Sequence, residues 1–255
     1  MGGENVRLDV YMTDAGLVPS RAKAQEMIKN GCVAVNQKVI NKPSYELSTE
    51  DSVSLRENPL QRYVGRGGLK LECALRTFGI SPEGLVAVDI GASSGGFTDC
   101  LLQHGAAFVY AVDSGEGQLH PKLLADEHVE NREHTNARYL SKNDFERTPS
   151  LAVMDVSFIS QTLILPSVAD ILREGGTLIT LIKPQFELDR TLLGKGGIVK
   201  SEKLRRRAIE RVKASAEVLG FHLDGCVECD VHGGDGNVEY LAVFTVNQTK
   251  ERSSK

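Results

Sequence analysis

The chain has 255 residues, 41% hydrophobic and 25% charged, the balance of a soluble globular protein with room for one large domain and a small one. No apolar run approaches the roughly 20 residues a membrane helix needs, and the start, MGGENVRLD, has no apolar signal region, so a cytoplasmic protein is expected. The formal net charge of −4 does not announce nucleic acid, and five dispersed cysteines, Cys32, Cys73, Cys100, Cys226 and Cys229, suit free thiols in a reducing compartment.

In chain order, VRLDVYMTDAG predicts a short helix stopped by Gly16. Ser20 is placed to cap a second helix, RAKAQEMIKN, which Gly31 ends. CVAVNQKVI predicts a hairpin, with Val33 and Val35 on one face, a turn at Asn36-Gln37 and Val39 on the return; DSVSLR adds a strand. Over residues 21–42, Arg21, Lys23, Lys29, Lys38 and Lys42 stand against Glu26 alone, and further basic clusters occupy 62–76 and 195–213. Three such clusters on an acidic chain suggest a local phosphate-binding face; solvated helix faces are the plainer alternative.

RENPLQRYVGRGG, broken by Pro59, Gly65, Gly67 and Gly68, predicts a linker. Beyond it, LVAVDI (85–90), VYAVD (109–113), LAVMDV (151–156) and TLITLIKP (177–184) are apolar runs that end in polar residues, the pattern of buried parallel strands. GGFTDCLLQHG, ISQTLILPSVADILREGG and SEKLRRRAIERVKASAEVLGF predict helices between and after them, and HLDGCVECDV and NVEYLAVFTV two closing strands. Such alternation implies a doubly wound α/β domain, whose ligands bind outside the carboxyl ends of the strands. Asp89, Asp113, Asp155 and Lys183 fall at such ends.

The run Asp89-Ile90-Gly91-Ala92-Ser93-Ser94-Gly95-Gly96-Phe97 follows the first of these strands and opens a helix. Glycines let backbone pass close to a ligand, and a helix N-terminus offers free amides. The spacing is not that of a dinucleotide loop. Asp113 ends the next strand, where a carboxylate can grip ribose hydroxyls. Gly95 and Gly96 can also be read as allowing tight packing of helix on sheet.

Four residues sit at the edges of glycine-rich or strand-end motifs: Lys70 in GRGGLK, Asp155 in VMDVSF, Lys183 in LIKPQF and Glu239 in GNVEY. Gathered beside a nucleotide pocket, they can strip a proton from a ribose hydroxyl next to a methyl donor. Methyl transfer from a sulfonium needs the oxygen in line, its proton removed and water excluded; positioning alone supplies roughly 7–11 kcal/mol. A lysine serves as base only if its pKa falls towards about 7–8 through burial or a cationic neighbour. Lys183, held extended before Pro184, is the expected base. Lys70 is the expected neighbouring cation, and Asp155 and Glu239 orient the lysines and the ribose. Glu239 is expected to begin a late strand running antiparallel to the others, which brings its start to the same sheet edge. Each residue alone also fits an ordinary strand-end ion pair.

Taken together, GRGGLKL, DIGASSGGFTDCLL, DSGEGQL, TNAR, DVSFIS, KPQFE, GGIV and GNVEY resemble the hemolysin A (TlyA) family of ribosomal RNA 2′-O-methyltransferases over nearly the full length. The resemblance implies a small α+β RNA-binding domain of the ribosomal-protein-S-four type (1–58), a linker (59–66), a Rossmann-like FtsJ/RrmJ-type methyltransferase domain with a mostly parallel seven-stranded sheet (67–248) and a disordered tail (249–255). It implies S-adenosyl-L-methionine as cofactor. It makes Lys70, Asp155, Lys183 and Glu239 the catalytic set. Cofactor contacts are expected from Asp89, Gly91, Ala92, Ser93, Ser94, Gly95, Gly96, Phe97, Asp113, Asn136 and Asp155, and RNA contacts from Arg7, Arg21, Lys23, Lys29, Lys38, Lys42 and Arg66. Arg62-Tyr63-Val64-Gly65 falls where family members couple the two domains. The implied partner is ribosomal RNA in ribosomal subunits, met by a monomer without membrane or metal. Members target cytidine riboses; some modify both subunits and others, with shorter termini, the large one alone. The end NQTKERSSK resembles the shorter kind, so large-subunit RNA is the expected target, with small-subunit RNA as the further alternative.

Three further features compete for attention. Cys226-Val-Glu-Cys229 has metal-like spacing but no second pair, and residues three apart on a strand point to opposite faces, so no zinc is expected. His232, in HGGDGN, either touches substrate or is a solvated loop residue. GKGGIV (194–199) suits a lid. The rival functions are a non-catalytic RNA-binding assembly factor and a membrane-active toxin, the latter without any amphipathic or spanning segment to support it.

Overall fold

In a computed structural model, residues 6–56, 62–172, 174–231 and 236–247 are described, and the chain divides into two compact units, Met1–Arg62 and Tyr63–Lys255. The first part of the expected linker (59–61), His232 and the expected tail (249–255) lie outside the described residues.

The first unit contains β1 (Val6–Arg7), α1 (Leu8–Asp14), α2 (Arg21–Lys29), β2 (Val33–Val35), β3 (Lys38–Val39), β4 (Glu46–Leu47) and β5 (Val53–Leu55). The Ser20 hydroxyl accepts from the Lys23 amide at 3.2 Å, which satisfies one of the free donors at the start of α2. β2 and β3 pair antiparallel through a two-residue turn in which Asn36 and Gln37 both have positive φ, as a tight hairpin of this hand requires. β5 flanks β2 on its other side, and β1 pairs with β4. Leu8 and Met12 from α1, Ala24 and Ile28 from α2, and Val33 and Val35 from β2 form the core, so the apolar positions of each helix recur four apart on its inner face. Ala34, between the two expected inward valines, is buried as well.

The second unit is built on a seven-stranded sheet in the order β11-β12-β10-β9-β6-β7-β8. Its strands are β6 (Val86–Ile90), β7 (Phe108–Val112), β8 (Val129–Arg132), β9 (Leu151–Met154), β10 (Thr177–Ile182), β11 (Phe221–Glu228) and β12 (Tyr240–Val246). The five strands from β10 to β8 are parallel; β12 runs antiparallel to β10 and to β11. Val88 and Ile90 face one apolar cluster with Tyr110, Met154 and Phe244, while Ala87 faces the other with Leu71, Leu101, Val153 and Ile179. Both faces are therefore dry, which explains the near-continuous apolar runs.

The helices are α3 (Gly67–Phe78), α4 (Gly96–Gln103), α5 (Pro121–Leu124), α6 (Leu165–Ile171), α7 (Pro184–Glu187) and α8 (Glu202–Val218). The long helix expected from Ile159 is instead a 3-10 turn, Gln161–Leu163, followed by the seven-residue α6. Pro166 accounts for the break: without an N–H it sits in the first turn of α6, not mid-helix. The second half of the expected linker packs within this unit. Tyr63 is buried, and the Val64 amide donates to Asp99 Oδ2 at 2.8 Å.

Candidate active site

Register brings the four motif residues to one edge. Ile182 pairs with Tyr240 across the antiparallel β10–β12 ladder, so Lys183 and Glu239 are the next residues beyond that pair. Thr180 pairs with Met154, which places Asp155 at the carboxyl end of β9 on the same edge. Glu239 precedes β12 by one residue instead of starting it. Lys70 reaches this edge from the first turns of α3.

The structure makes two pairs of the four, with both lysines and Glu239 buried and Asp155 partly exposed. Lys183 Nζ meets Asp155 Oδ1 at 2.5 Å and donates to Ser157 Oγ at 2.9 Å. Lys70 Nζ donates to Glu239 Oε2 at 2.5 Å. Lys70, Lys183 and Glu239 are each under 10% exposed. Each lysine thus has its own carboxylate, Asp155 for Lys183 and Glu239 for Lys70. Ser157, two residues past Asp155 in DVSF, escapes the sequence reading, although its position in a strand-end motif is an available signal.

Two cavities adjoin at Asp155 and Ser157. The larger, about 390 Å³, is lined by Gly91, Ser93, Asp113, Gln118, Asn136, Asp155 and Phe158 among others. The smaller is lined by Gly91, Ala92, Ser93, Ser94, Gly96, Phe97, Asp155, Ser157 and Lys183. Asp113, just past β7, accepts from the Ser93 amide on Oδ2 at 2.8 Å and from the Gly115 amide on Oδ1 at 2.7 Å, so this acid also fixes the glycine loop. Asn136 Oδ1 accepts from the Arg138 amide, which leaves its amide nitrogen for the cavity. Gly91 has φ +85°, and a Cβ there would lie 2.5 Å from the Asp155 carbonyl oxygen, so only glycine lets the two loops approach this closely.

Two expected cofactor residues line neither cavity. Asp89 is fully buried within β6; Thr98 donates to its Oδ2 at 2.7 Å, while Oδ1 has no partner. Burial pushes its pKa up to about 7, with the Thr98 hydrogen bond opposing and the charge of Asp155 adding to the rise. Gly95, at φ +91°, faces Leu123 and Leu119, where a Cβ would overlap; its role is packing under α5.

A third cavity, about 640 Å³, shares Phe158 with the first and is lined by Phe186, Arg190, Gly194 and Asn237 among others. Phe158 is 91% exposed, adopts φ +65°, rare for a bulky residue, and packs against Phe186 with the rings tilted and their centres 5.1 Å apart. Its loop is pinned from below by Glu187, which accepts from Ser160 Oγ at 2.5 Å and from the Gln161 amide at 2.8 Å. Burial raises the pKa of Glu187, and these two bonds oppose the rise.

In the first unit, Arg7 and Arg21 converge on Asp9, and Lys23 pairs with Glu26. Lys29, Lys38 and Lys42 are exposed, as is Arg66 at the start of α3 in the second unit. Among the described residues, no group of three or more potential ligands could hold a metal ion, and no helix is long and apolar enough to cross a membrane.

Residues 63–245 match the FtsJ-like methyltransferase family, and residues 6–53 match the S4 domain. The chain is 42% identical to hemolysin A of Brachyspira hyodysenteriae over 94% of its own length and all of that protein. It is 36% identical to the 16S/23S rRNA (cytidine-2′-O)-methyltransferase TlyA of Mycobacterium tuberculosis, over 98% of this chain and 93% of that one. A solved protein from Streptococcus thermophilus is 42% identical, covers 96% of this chain and 90% of its own, and superposes with a TM-score of 0.73. With its family match spanning the whole sheet and an S4 domain ahead of it, the chain belongs to the FtsJ-like methyltransferases, in the group that includes TlyA and hemolysin A.

Proposed function

We propose that this chain transfers a methyl group from S-adenosylmethionine to the 2′-hydroxyl of a cytidine ribose in ribosomal RNA, large-subunit RNA first, with Lys183 taking the hydroxyl proton. The observation that carries this reading is Lys183 itself: buried, held by both Asp155 and Ser157, and lining the same cavity as the glycine loop.

The cofactor fits the residues present. The cavity of about 390 Å³ has a carboxylate at one strand end, Asp113, and the amide of Asn136, which suit ribose and adenine. Gly91, Ser93, Ser94 and Gly96 would hold the amino-acid end. When bound, S-adenosylmethionine supplies an electrophilic methyl group. Lys183 must give up its own proton first; from the neutral amine, Nζ then accepts the proton of the 2′-hydroxyl, and the ammonium so re-formed is stabilised by Asp155 at 2.5 Å. Lys70, fixed by Glu239, presents a second cation at this edge that hydrogen-bonds the ribose and holds its hydroxyl in place. The cytosine is turned out of its stack into the third cavity, against the exposed ring of Phe158. All four motif residues come from one chain, which supports a monomer as the working unit, and the first unit holds the RNA through phosphate contacts. The name of the Mycobacterium tuberculosis relative supports cytidine, ribose and both subunits as substrate classes.

The test is transfer of labelled methyl from S-adenosylmethionine to purified small and large subunits from a strain lacking the gene. Label on large-subunit RNA is the expected result. Absence of label on both subunits, with cofactor binding intact, would sink the reading.

A further inference from the structure

Asp9, the second residue of α1, is a wholly buried carboxylate that accepts four hydrogen bonds. Arg7 Nε donates to Oδ1 and Arg7 Nη2 to Oδ2, both at 3.0 Å; Arg21 Nε donates to Oδ2 at 3.0 Å and Gln25 Nε2 to Oδ2 at 2.8 Å. The two arginines come from opposite ends of the α1 region, one before α1 and one opening α2, yet they share a single anchor. The arginine side chains themselves remain 45% and 53% exposed. A guanidinium carries five N–H groups. Arg7 commits two of them and Arg21 one, so both keep donors for another acceptor.

A free arginine surrenders side-chain entropy when it grips a phosphate. An arginine already fixed by a buried carboxylate surrendered that freedom on folding, and its fork arrives in a defined plane. We propose that Asp9 is a positioning residue that holds Arg7 and Arg21 side by side as a preformed phosphate-binding pair for ribosomal RNA. The proposal rests on the RNA-binding reading of the first unit.

It has a sign that simple electrostatics does not share. Asp9 is negative, so its neutralisation should strengthen attraction to RNA if net charge alone mattered. Positioning demands the opposite. The experiment compares binding of the full chain to purified large subunits over a salt series, for wild type, Asp9→Asn, Arg21→Lys, Arg7→Ala/Arg21→Ala, and Asp9→Asn in the doubly substituted chain. Thermal unfolding and cofactor binding verify that each variant is folded. Asp9→Asn should bind about tenfold more weakly, as expected for residues coupled in one network. Its log affinity should fall less steeply with log salt, by about 1 for each phosphate that the variant no longer neutralises. In the background without the two arginines, Asp9→Asn should change almost nothing. Arg21→Lys keeps the charge and loses the fork; it should also weaken binding, which keeps the idea testable if Asp9→Asn does not fold.

Wild-type or tighter binding by folded Asp9→Asn overturns the positioning role. So does an Asp9→Asn loss that persists without the arginines, or an Arg21→Lys chain with unchanged affinity and salt slope. Full binding by the Arg7→Ala/Arg21→Ala chain overturns more, because it removes these arginines from the RNA reading altogether.

Discussion

Lys70 and Glu239 stand 169 positions apart in the chain and meet at 2.5 Å, with side chains 10% and 6% exposed. A pair so far from water depends on both members. Removing one leaves an uncompensated buried charge, at a cost of about 3–5 kcal/mol, whereas replacing both by apolar groups is often neutral. Glu239→Ala should therefore lower the denaturant midpoint clearly. Lys70→Met/Glu239→Leu should recover most of that stability and none of the methyl transfer. Equal stability of the single and double variants would show that the pair is not held as described.

Ser157 gives Lys183 a second acceptor at 2.9 Å. Ser157→Ala leaves the Asp155 pair in place and frees the ammonium to swing. A roughly tenfold fall in kcat is expected, a part of the roughly 10²–10⁴-fold that a positioned base contributes. The fold should be unaffected, as measured by the melting temperature. A wild-type kcat would remove Ser157 from the site.

Asp89 carries a pH prediction. Its folded pKa is raised to about 7 by burial, above an unfolded value near 4. A raised carboxyl pKa means that the folded state keeps the proton longer. The contribution is fully present below about pH 4 and is lost as pH rises to about 7. Asp89→Asn, which still accepts from Thr98, should remove this loss. The substitution should raise stability more at pH 8 than at pH 5, by at least about 1 kcal/mol. Denaturant unfolding at the two pH values measures the difference; equal effects at both would contradict the assignment.

Gly95 and Gly117 separate strain from overlap. Both have positive φ, but a Cβ at Gly95 would lie 2.2 Å from Leu123 Cδ1, while one at Gly117 meets nothing within 4 Å. Gly117→Ala should cost about 1–2 kcal/mol for the backbone alone. Gly95→Ala should add a further 1–3 kcal/mol or so of overpacking and disturb the cofactor loop. Differential unfolding of the two variants, with cofactor affinity alongside, checks both parts.

Much of this architecture was legible in the residues. Strands β6, β7, β9 and β10 are buried on both faces, so their apolar runs announce them. β8, with the sequence VENR, is an edge strand with one neighbour and a half-exposed surface, and nothing in its composition separates it from a loop. Lys70, Asp155, Lys183 and Glu239 could be named because each borders a recognisable motif. Which lysine meets which acid could not, because that depends on the register of β10 against β12 and on where α3 lies. Asp89 and Gly95 show the converse limit. Membership of the glycine loop is written in the sequence, but alternation along β6 and the packing of α5 turn these two away from the cavities.

The most direct test of the central claim is nucleoside mass spectrometry of large-subunit RNA treated with S-adenosylmethionine and either wild type or Lys183→Met. Wild type should yield 2′-O-methylcytidine. Lys183→Met should yield at least about 100-fold less while still binding cofactor and subunits, since it removes the proton acceptor and leaves the cavity walls in place. A methyl group found on a base instead of a ribose, or a Lys183→Met chain that works at the wild-type rate, would contradict the assignment of Lys183 as the base for ribose methylation.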